Sequence, residues 1–271
     1  MSALPLAPSA TFVRRLRDDR SGLALLEFAL SLPIVLGVGL YATETASLAL
    51  ANLRVSQVAL NLADNAARVG EAQSNNTQRL REIDIDDVLT AARLQGAGWG
   101  LTTRGRITLS SLENQAGVQM IHWQRCIGLR GSTAAEAIYR SSYGITATDG
   151  KSTGTTYDPT AGVDTDTGPG DNSATHPGAK ALGTTGNLGD GMGDAGSKVT
   201  APPDSGVMFV EINFEYQPVV SARWLPSGTT RIKYIASFVV RDQRVFTQVF
   251  NPDPAAKRFT CDKYFEAEPA T

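Results

Sequence analysis

A nearly uncharged run from Leu23 to Ala51 limits what this chain can fold into more than any other feature. A helix needs about 20 apolar residues to cross the hydrocarbon core of a bilayer, and this run is longer than that. Four arginines between residues 14 and 20 lie immediately before it. Because short basic flanks stay on the cytoplasmic side, the pattern predicts a single-pass membrane protein. Residues 1–22 would form a cytoplasmic basic leader, and the C-terminal part would lie outside.

The run contains two carboxylates, Glu27 near its start and Glu44 near its end. A charge in hydrocarbon costs about 2.5 kcal/mol or more on insertion scales, so Glu27 should have a partner. Glu44 lies roughly 25 Å further along a helix and fits an interfacial carboxylate in water. A cleaved secretory signal is disfavoured, because the run is too long and carries both Glu27 and Pro33. A plain anchor with a solitary glutamate remains the alternative.

The residues around Glu27 also match a family pattern. Residues 14–36 read R-R-L-R-D-D-R-S-G-L-A-L-L-E-F-A-L-S-L-P-I-V-L. This segment resembles the type IV prepilins, and more closely the TadE-like proteins of tight-adherence (Tad) pilus systems. Gly22, Glu27, Phe28 and Pro33 fall at that family's spacing. The resemblance extends only weakly over residues 100–245.

The resemblance implies that a membrane-embedded prepilin peptidase cleaves between Gly22 and Leu23. The new amine of Leu23 would then pair with Glu27 of a neighbouring subunit, with Phe28 and Pro33 belonging to the same assembly motif. Positions 23 and 27 of one helix are also one turn apart, so pairing within the subunit competes. Paired charges near hydrocarbon are less costly than separate ones, which fits either arrangement.

The function implied by the resemblance is that of a minor pilin, or pseudopilin, of a Tad-type pilus. It would enter the filament at or near the initiation or tip complex and support assembly and surface adhesion. Its partners would be other pilins through the N-terminal helix, the prepilin peptidase, the inner-membrane assembly platform and the lipid bilayer. It would lie in the bacterial inner membrane with its C-terminus periplasmic, and become extracellular after assembly. At 28.8 kDa it is bulky for a repeating subunit.

The alternative function keeps the leader. An uncleaved single-pass anchor would hold a periplasmic domain that recruits pilus-assembly partners or a surface ligand through residues 144–206. This hypothesis predicts an intact N-terminus and filaments that do not depend on Glu27.

The exported part predicts an α+β, pilin-like head. Apolar residues recur at helical steps from Val55 to Val69, so residues 23–69 form one transmembrane and stem helix. A second helix is predicted over residues 84–94. Residues 106–112, 118–125, 207–216 and 232–240 are rich in β-branched and aromatic side chains and predict four antiparallel strands. The stem should pack on one face of this sheet, on neighbouring subunits, or on both, with the head made of residues 70–143 and 207–271.

Residues 144–206 differ in composition from the rest. They are dense in Gly, Thr, Asp and Pro and poor in large apolar side chains, so they predict an excursion between two strands. Asp164, Asp166 and Asp171 resemble part of a calcium loop, but the spacing lacks the distal glutamate of an EF-hand. Calcium is a weak candidate, and no other cofactor is predicted.

The remaining motifs bear on redox state and catalysis. Cys126 and Cys261 both lie in the exported part and predict a disulfide that ties the C-terminal tail to the sheet. His122 fits a sheet-face residue, and the face carrying Glu211 and Glu215 is expected to meet solvent or another subunit. No P-loop, zinc spacing or nucleophile motif is present, which predicts that the chain is not an enzyme. Its net charge of −2 argues against nucleic-acid binding.

Overall fold

The computed structural model describes residues 22–115, 117–141, 143, 180–181, 191–225, 230–246, 249–250, 252, 259–261 and 264–265. The chain divides into two compact units. The helix unit comprises the residues up to Leu48 together with Pro218–Thr229. The sheet unit comprises Ala49–Gln217 and the residues from Thr230 onward.

The described part of the chain has two α-helices and nine strands. The helices are α1 (Leu23–Arg68) and α2 (Glu82–Gly96). The strands are β1 (Glu71–Ala72), β2 (Gln78–Arg79), β3 (Gly105–Gln115), β4 (Val118–Ile127), β5 (Lys180–Ala181), β6 (Met192–Asp194), β7 (Ser197–Val199), β8 (Gly206–Glu215) and β9 (Arg231–Val239). Short 3₁₀ turns span Ala97–Trp99, Ala134–Tyr139 and Ala222–Trp224. The predicted α+β class is confirmed.

The principal sheet has five antiparallel strands in the order β5-β4-β3-β8-β9. The four predicted strands are its four long members, each within a few residues of the predicted bounds. β1 pairs with β2, and β6 pairs with β7, in two separate hairpins. The second helix begins two residues before the predicted start, because Asp84 in its first turn accepts the Arg81 backbone N–H at 2.9 Å.

The C-terminal part of α1 forms the stem and is amphipathic, as predicted. Val55 and Leu62 are buried in the sheet unit, and Arg54 on the other side is exposed. The guanidinium of Arg244 donates to the carbonyl of Ala66 at 3.0 Å, close to the end of the helix. A cation at this end interacts favourably with the helix dipole and donates to carbonyls that have no partner within the helix.

Cross-strand partners define two faces of the five-stranded sheet. The face that we call the helix face includes Leu109 and Arg125, which are partners between β3 and β4. The opposite face, the tail face, includes Thr108, Cys126 and Glu211. All five side chains are buried. Both faces of the sheet are therefore covered at these positions of β3, β4 and β8, whereas the edge strand β9 is only partly buried.

A buried ion pair joins the helix face to α2. Arg125 on β4 donates to both carboxylate oxygens of Glu82 in the first turn of α2, with the Nε to Oε2 distance at 3.0 Å. Neither side chain has any exposed surface. Charges this deep are tolerated only when they are paired and fully hydrogen-bonded, so the pair fixes the position of α2 on the sheet.

The tail face is covered near Cys126 by the C-terminal segment. A disulfide joins Cys126 to Cys261, the pairing that the sequence predicts. The Cys126 N–H donates to the carbonyl of Phe259 at 2.6 Å. Arg106 donates to the carbonyls of Gly128 and Cys261, each at 2.8 Å. The tail is thus held by a covalent bond and by buried hydrogen bonds together.

Replacing both cysteines with serine should lower stability markedly. The bridge closes a loop of 135 residues, and removing a native disulfide typically costs about 2–5 kcal/mol. For a chain of this size we expect Tm to fall by roughly 5–15 °C. Thermal unfolding of the full chain in detergent micelles, followed by tryptophan fluorescence, measures the shift. An unchanged Tm would mean that hydrogen bonds alone hold the tail.

The other end of the tail face is covered by residues that composition alone groups with the 144–206 excursion. Met192 and Ala201 are buried in a cluster with Leu112, Ile121 and Phe209. Gln119 binds the Ala201 backbone, accepting its N–H at 2.7 Å and donating to its carbonyl at 3.0 Å. Residues 191–206 therefore belong to the folded head.

Candidate functional site

The first part of α1 is an uncovered apolar surface. Residues 23–43 are exposed except for the half-buried Gly37, and Leu25 and Ile34 are 74% and 69% exposed. At ~1.5 Å per residue the stretch is about 30 Å long, the thickness of a bilayer core. Among the described residues, α1 is the one helix long and apolar enough to cross a membrane. A surface this large and apolar requires lipid or another protein against it.

The predicted cleavage position lies where this helix begins. Leu23 is the first helical residue, and the Gly22 carbonyl accepts the Leu26 N–H at 3.0 Å. A Cβ added at Gly22 would meet no atom within 4 Å, and its φ is outside the left-handed region. The described structure therefore gives no internal reason for glycine at this position. A requirement imposed by an external binding partner, such as a peptidase, is compatible with that freedom.

Glu27 lies one turn into the helix and is exposed. Within the part of the chain that the structure describes, no hydrogen bond or ion pair involves its carboxylate. Phe28 beside it is 61% exposed. The carboxylate is thus presented on an apolar helix surface, where a cation from outside the described residues could reach it.

The hydroxyls of Ser31, Thr43 and Thr45, further along the helix, donate to backbone carbonyls of the same helix. Pro33 has no N–H, so the carbonyl of Ala29 lacks its usual helical donor, yet α1 continues through it. The hydroxyl of Thr43 donates to the Gly39 carbonyl at 2.9 Å. Hydroxyls that bond back to the helix are compatible with an apolar medium. Glu27 differs from these hydroxyls, because its carboxylate has no partner among the described residues.

Glu44 has a different environment from the one expected. It is fully buried, and its Oε2 accepts the backbone N–H of Val220 at 2.7 Å. The sequence placed this carboxylate in water. It is instead covered by the β8–β9 loop of the helix unit, from a position 176 residues away in the chain.

The tail face holds the buried carboxylate of Glu211. Glu211 is 1% exposed and accepts a hydrogen bond from the hydroxyl of Ser141. The expectation that its face meets solvent or another subunit is wrong for Glu211, because the segment around Ser141 covers it. Burial raises the pKa of the Glu211 carboxyl above its ordinary value of 4.5, and the Ser141 hydrogen bond opposes that rise.

This raised pKa predicts a pH-dependent stability. Glu211 keeps its proton to higher pH in the folded chain than in the unfolded chain. Its contribution to the free energy of unfolding is therefore most favourable below pH 4.5. The stability falls as the pH rises through the raised folded value, by about 1.4 kcal/mol per unit of pKa difference. We expect Glu211→Gln to flatten this fall, and Ser141→Ala to extend it to higher pH because the pKa of Glu211 would rise further. Urea unfolding of the full chain in micelles between pH 4 and 8 tests both. Parallel curves for the three proteins would contradict this account.

The other candidate residues are a histidine on the sheet and three aspartates. His122 is buried beside Glu113, consistent with its predicted place on the sheet. No group of three or more His, Cys, Asp or Glu side chains that could hold a metal occurs in the part of the chain described here. The calcium candidates Asp164, Asp166 and Asp171 lie outside the described residues.

The fold and the site define a class: an α+β protein with one N-terminal helix that could span a membrane and that bears a single exposed acid near its start. Comparisons with models of known protein families, with curated proteins and with solved structures find no match. The function must therefore be argued from the helix itself.

Proposed function

We propose that the chain is a leader-cleaved minor pilin of a Tad-type pilus. The observation that carries this proposal is Glu27, an exposed carboxylate without a partner among the described residues, on an apolar helix surface about 30 Å long. Cleavage after Gly22 would create an ammonium on Leu23 one turn away. That charge, in the same subunit or in a neighbour, is the cation that Glu27 needs.

The uncovered helix favours a subunit over a plain anchor. A lipid anchor requires only apolar residues. An acid in its first turns would make membrane insertion less favourable, with no compensating interaction. Helix packing in a filament accounts for the acid and also for Gly37 and Gly39, where an added Cβ meets no atom of the described structure. Small residues let neighbouring helices approach closely. The assembly platform and other pilins are the partners that this function requires.

The inner membrane and the periplasm are the proposed locations before assembly. The arginine-rich residues 14–20 would hold the leader in the cytoplasm. The Cys126–Cys261 disulfide is compatible with an oxidising compartment for the sheet unit. After assembly the same unit would be part of the extracellular filament.

Shearing of pili from the native cells tests this function against the alternative. A minor pilin should appear in the sheared filament fraction, at a small fraction of the major subunit, as well as in the membrane. An uncleaved anchor should stay wholly in the membrane fraction. Detection with an antibody to the sheet unit separates the two, and an inner-membrane protein without extracellular exposure serves as the lysis control.

A further inference from the structure

The loop between β8 and β9 carries apolar side chains on its surface. Val219 is 68% exposed and Val220 is 37% exposed. Arg223, in the 3₁₀ turn that follows, is also exposed, and Leu225 is buried. A local hydrogen bond stabilises the turn, because the Ser221 hydroxyl accepts the backbone N–H of Arg223 at 3.3 Å. Two exposed valines and a cation thus lie within residues 219–223, in the described part of this loop.

This loop is bound to α1 at a defined height. The Val220 N–H donates to Glu44, a buried residue that follows the exposed stretch 23–43, and exposure resumes at Thr45. Residues 23–43 match the thickness of a bilayer core, so with Leu23 at the inner boundary Glu44 lies at the level where hydrocarbon gives way to lipid headgroups. Val220 is held at that level by its hydrogen bond, and Val219 is its neighbour in the chain. The loop therefore lies at the height of the interface.

We propose that this loop is a second membrane contact, in which Val219 and Val220 enter the outer-leaflet interface and Arg223 meets lipid phosphate. The inference rests on α1 spanning a membrane and adds a surface that is not in the pilin motif. The occupant is lipid because the valines are adjacent in space to the apolar stretch of α1 through Glu44. At the surface of a bilayer, hydrocarbon borders a layer of lipid phosphates. Apolar side chains beside a cation can therefore contact both layers.

Glu44 has a specific role in this arrangement. Its carboxylate is taken out of contact with lipid by the loop, and the loop is in turn held at the membrane level. Glu44→Ala would remove the acceptor for the Val220 N–H, and Glu44→Gln would keep an acceptor oxygen at the same position. Comparing the two variants distinguishes the effect of the hydrogen bond to Val220 from the effect of the charge on Glu44.

Spin-label depth measurements test the proposal on the full chain. The described residues contain no free cysteine, so Val219→Cys introduces a single reactive thiol there. The labelled protein is placed at one copy per nanodisc of phosphatidylethanolamine and phosphatidylglycerol, which removes a second copy as the occupant. Accessibility to oxygen, which partitions into lipid, is compared with accessibility to a water-soluble nickel chelate.

Two reference labels make the result decisive. Leu36→Cys, in the exposed apolar stretch, reports on the hydrocarbon, and Ser74→Cys, in a polar exposed turn, reports on water. We expect the oxygen-to-nickel accessibility ratio at Val219 to exceed that at Ser74 by a factor on the order of ten. Adding Glu44→Ala should lower the Val219 ratio, and adding Glu44→Gln should preserve it.

Each other outcome overturns the inference. A label at Val219 that is open to the nickel chelate, with Leu36 in lipid, would place the loop in water while leaving the membrane helix intact. A label closed to both reagents would show that the protein itself covers the loop. A water-exposed Leu36 would instead remove the membrane assignment on which both this inference and the proposed function rest.

Discussion

Glu27→Gln should reduce the number of assembled filaments at least tenfold while leaving the amount of membrane-inserted protein unchanged. Glutamine keeps the shape of the side chain and removes its charge, so the ammonium on Leu23 would lose its partner. Leaving one charge of a buried pair unpaired costs about 3–5 kcal/mol, and each 1.4 kcal/mol is a factor of ten in an equilibrium constant. Filament counts by electron microscopy and immunoblots of the membrane fraction provide the two measurements.

Glu44→Gln is the matched control for this experiment. It removes the same charge from the same helix, but Glu44 already has the Val220 N–H as a partner. Its carboxylate is buried within the chain, so a second copy cannot reach it. We expect near-normal filament counts for Glu44→Gln. Equal loss in both variants would indicate a general effect on the helix, and normal counts for Glu27→Gln would favour the uncleaved anchor.

Arg125→Met should lower the free energy of unfolding by about 3–5 kcal/mol, the largest effect that we expect from a single substitution in the sheet unit. The change leaves Glu82 buried with no cation, at a site where neither side chain has exposed surface. Tm should fall by roughly 10 °C or more. Chemical unfolding of the full chain in micelles gives the free energy directly.

A double substitution separates the charge from the packing. Glu82→Leu combined with Arg125→Met replaces both charges by apolar groups, and such exchanges are often close to neutral. We therefore expect stability near that of the wild type, with a large coupling energy between the two sites. The surface pair Arg68–Asp64, whose arginine is 71% exposed, is the control. Arg68→Ala should cost no more than about 1 kcal/mol. An additive double variant would contradict this account.

Much of the fold is encoded in local patterns. The apolar run and the three-and-four spacing from Val55 onward predict α1, since both depend on neighbours within a few residues. Strands β3, β4, β8 and β9 follow from β-branched and aromatic residues. The cysteine pairing follows because only two cysteines exist.

The contacts that the sequence patterns did not predict join residues far apart in the chain. Glu44 and Val220 are 176 positions apart, and Arg125 and Glu82 are 43 apart. No periodicity links such partners. Glu211 shows the same limit: alternation placed it on one face of a strand, but burial of that face depends on segments that fold over it. For Glu44, the one feature of the sequence that could have indicated a partner is its place in the apolar run from Leu23 to Ala51.

The mass of the native chain tests the proposed cleavage after Gly22 most directly. Protein extracted from native membranes and sheared filaments, analysed intact and after digestion, should begin at Leu23 with a free amine, and a Gly22→Val variant should retain the leader. A native chain that keeps the arginines of residues 14–20 in both fractions would contradict the account, because Glu27 would then lack the cation that cleavage supplies.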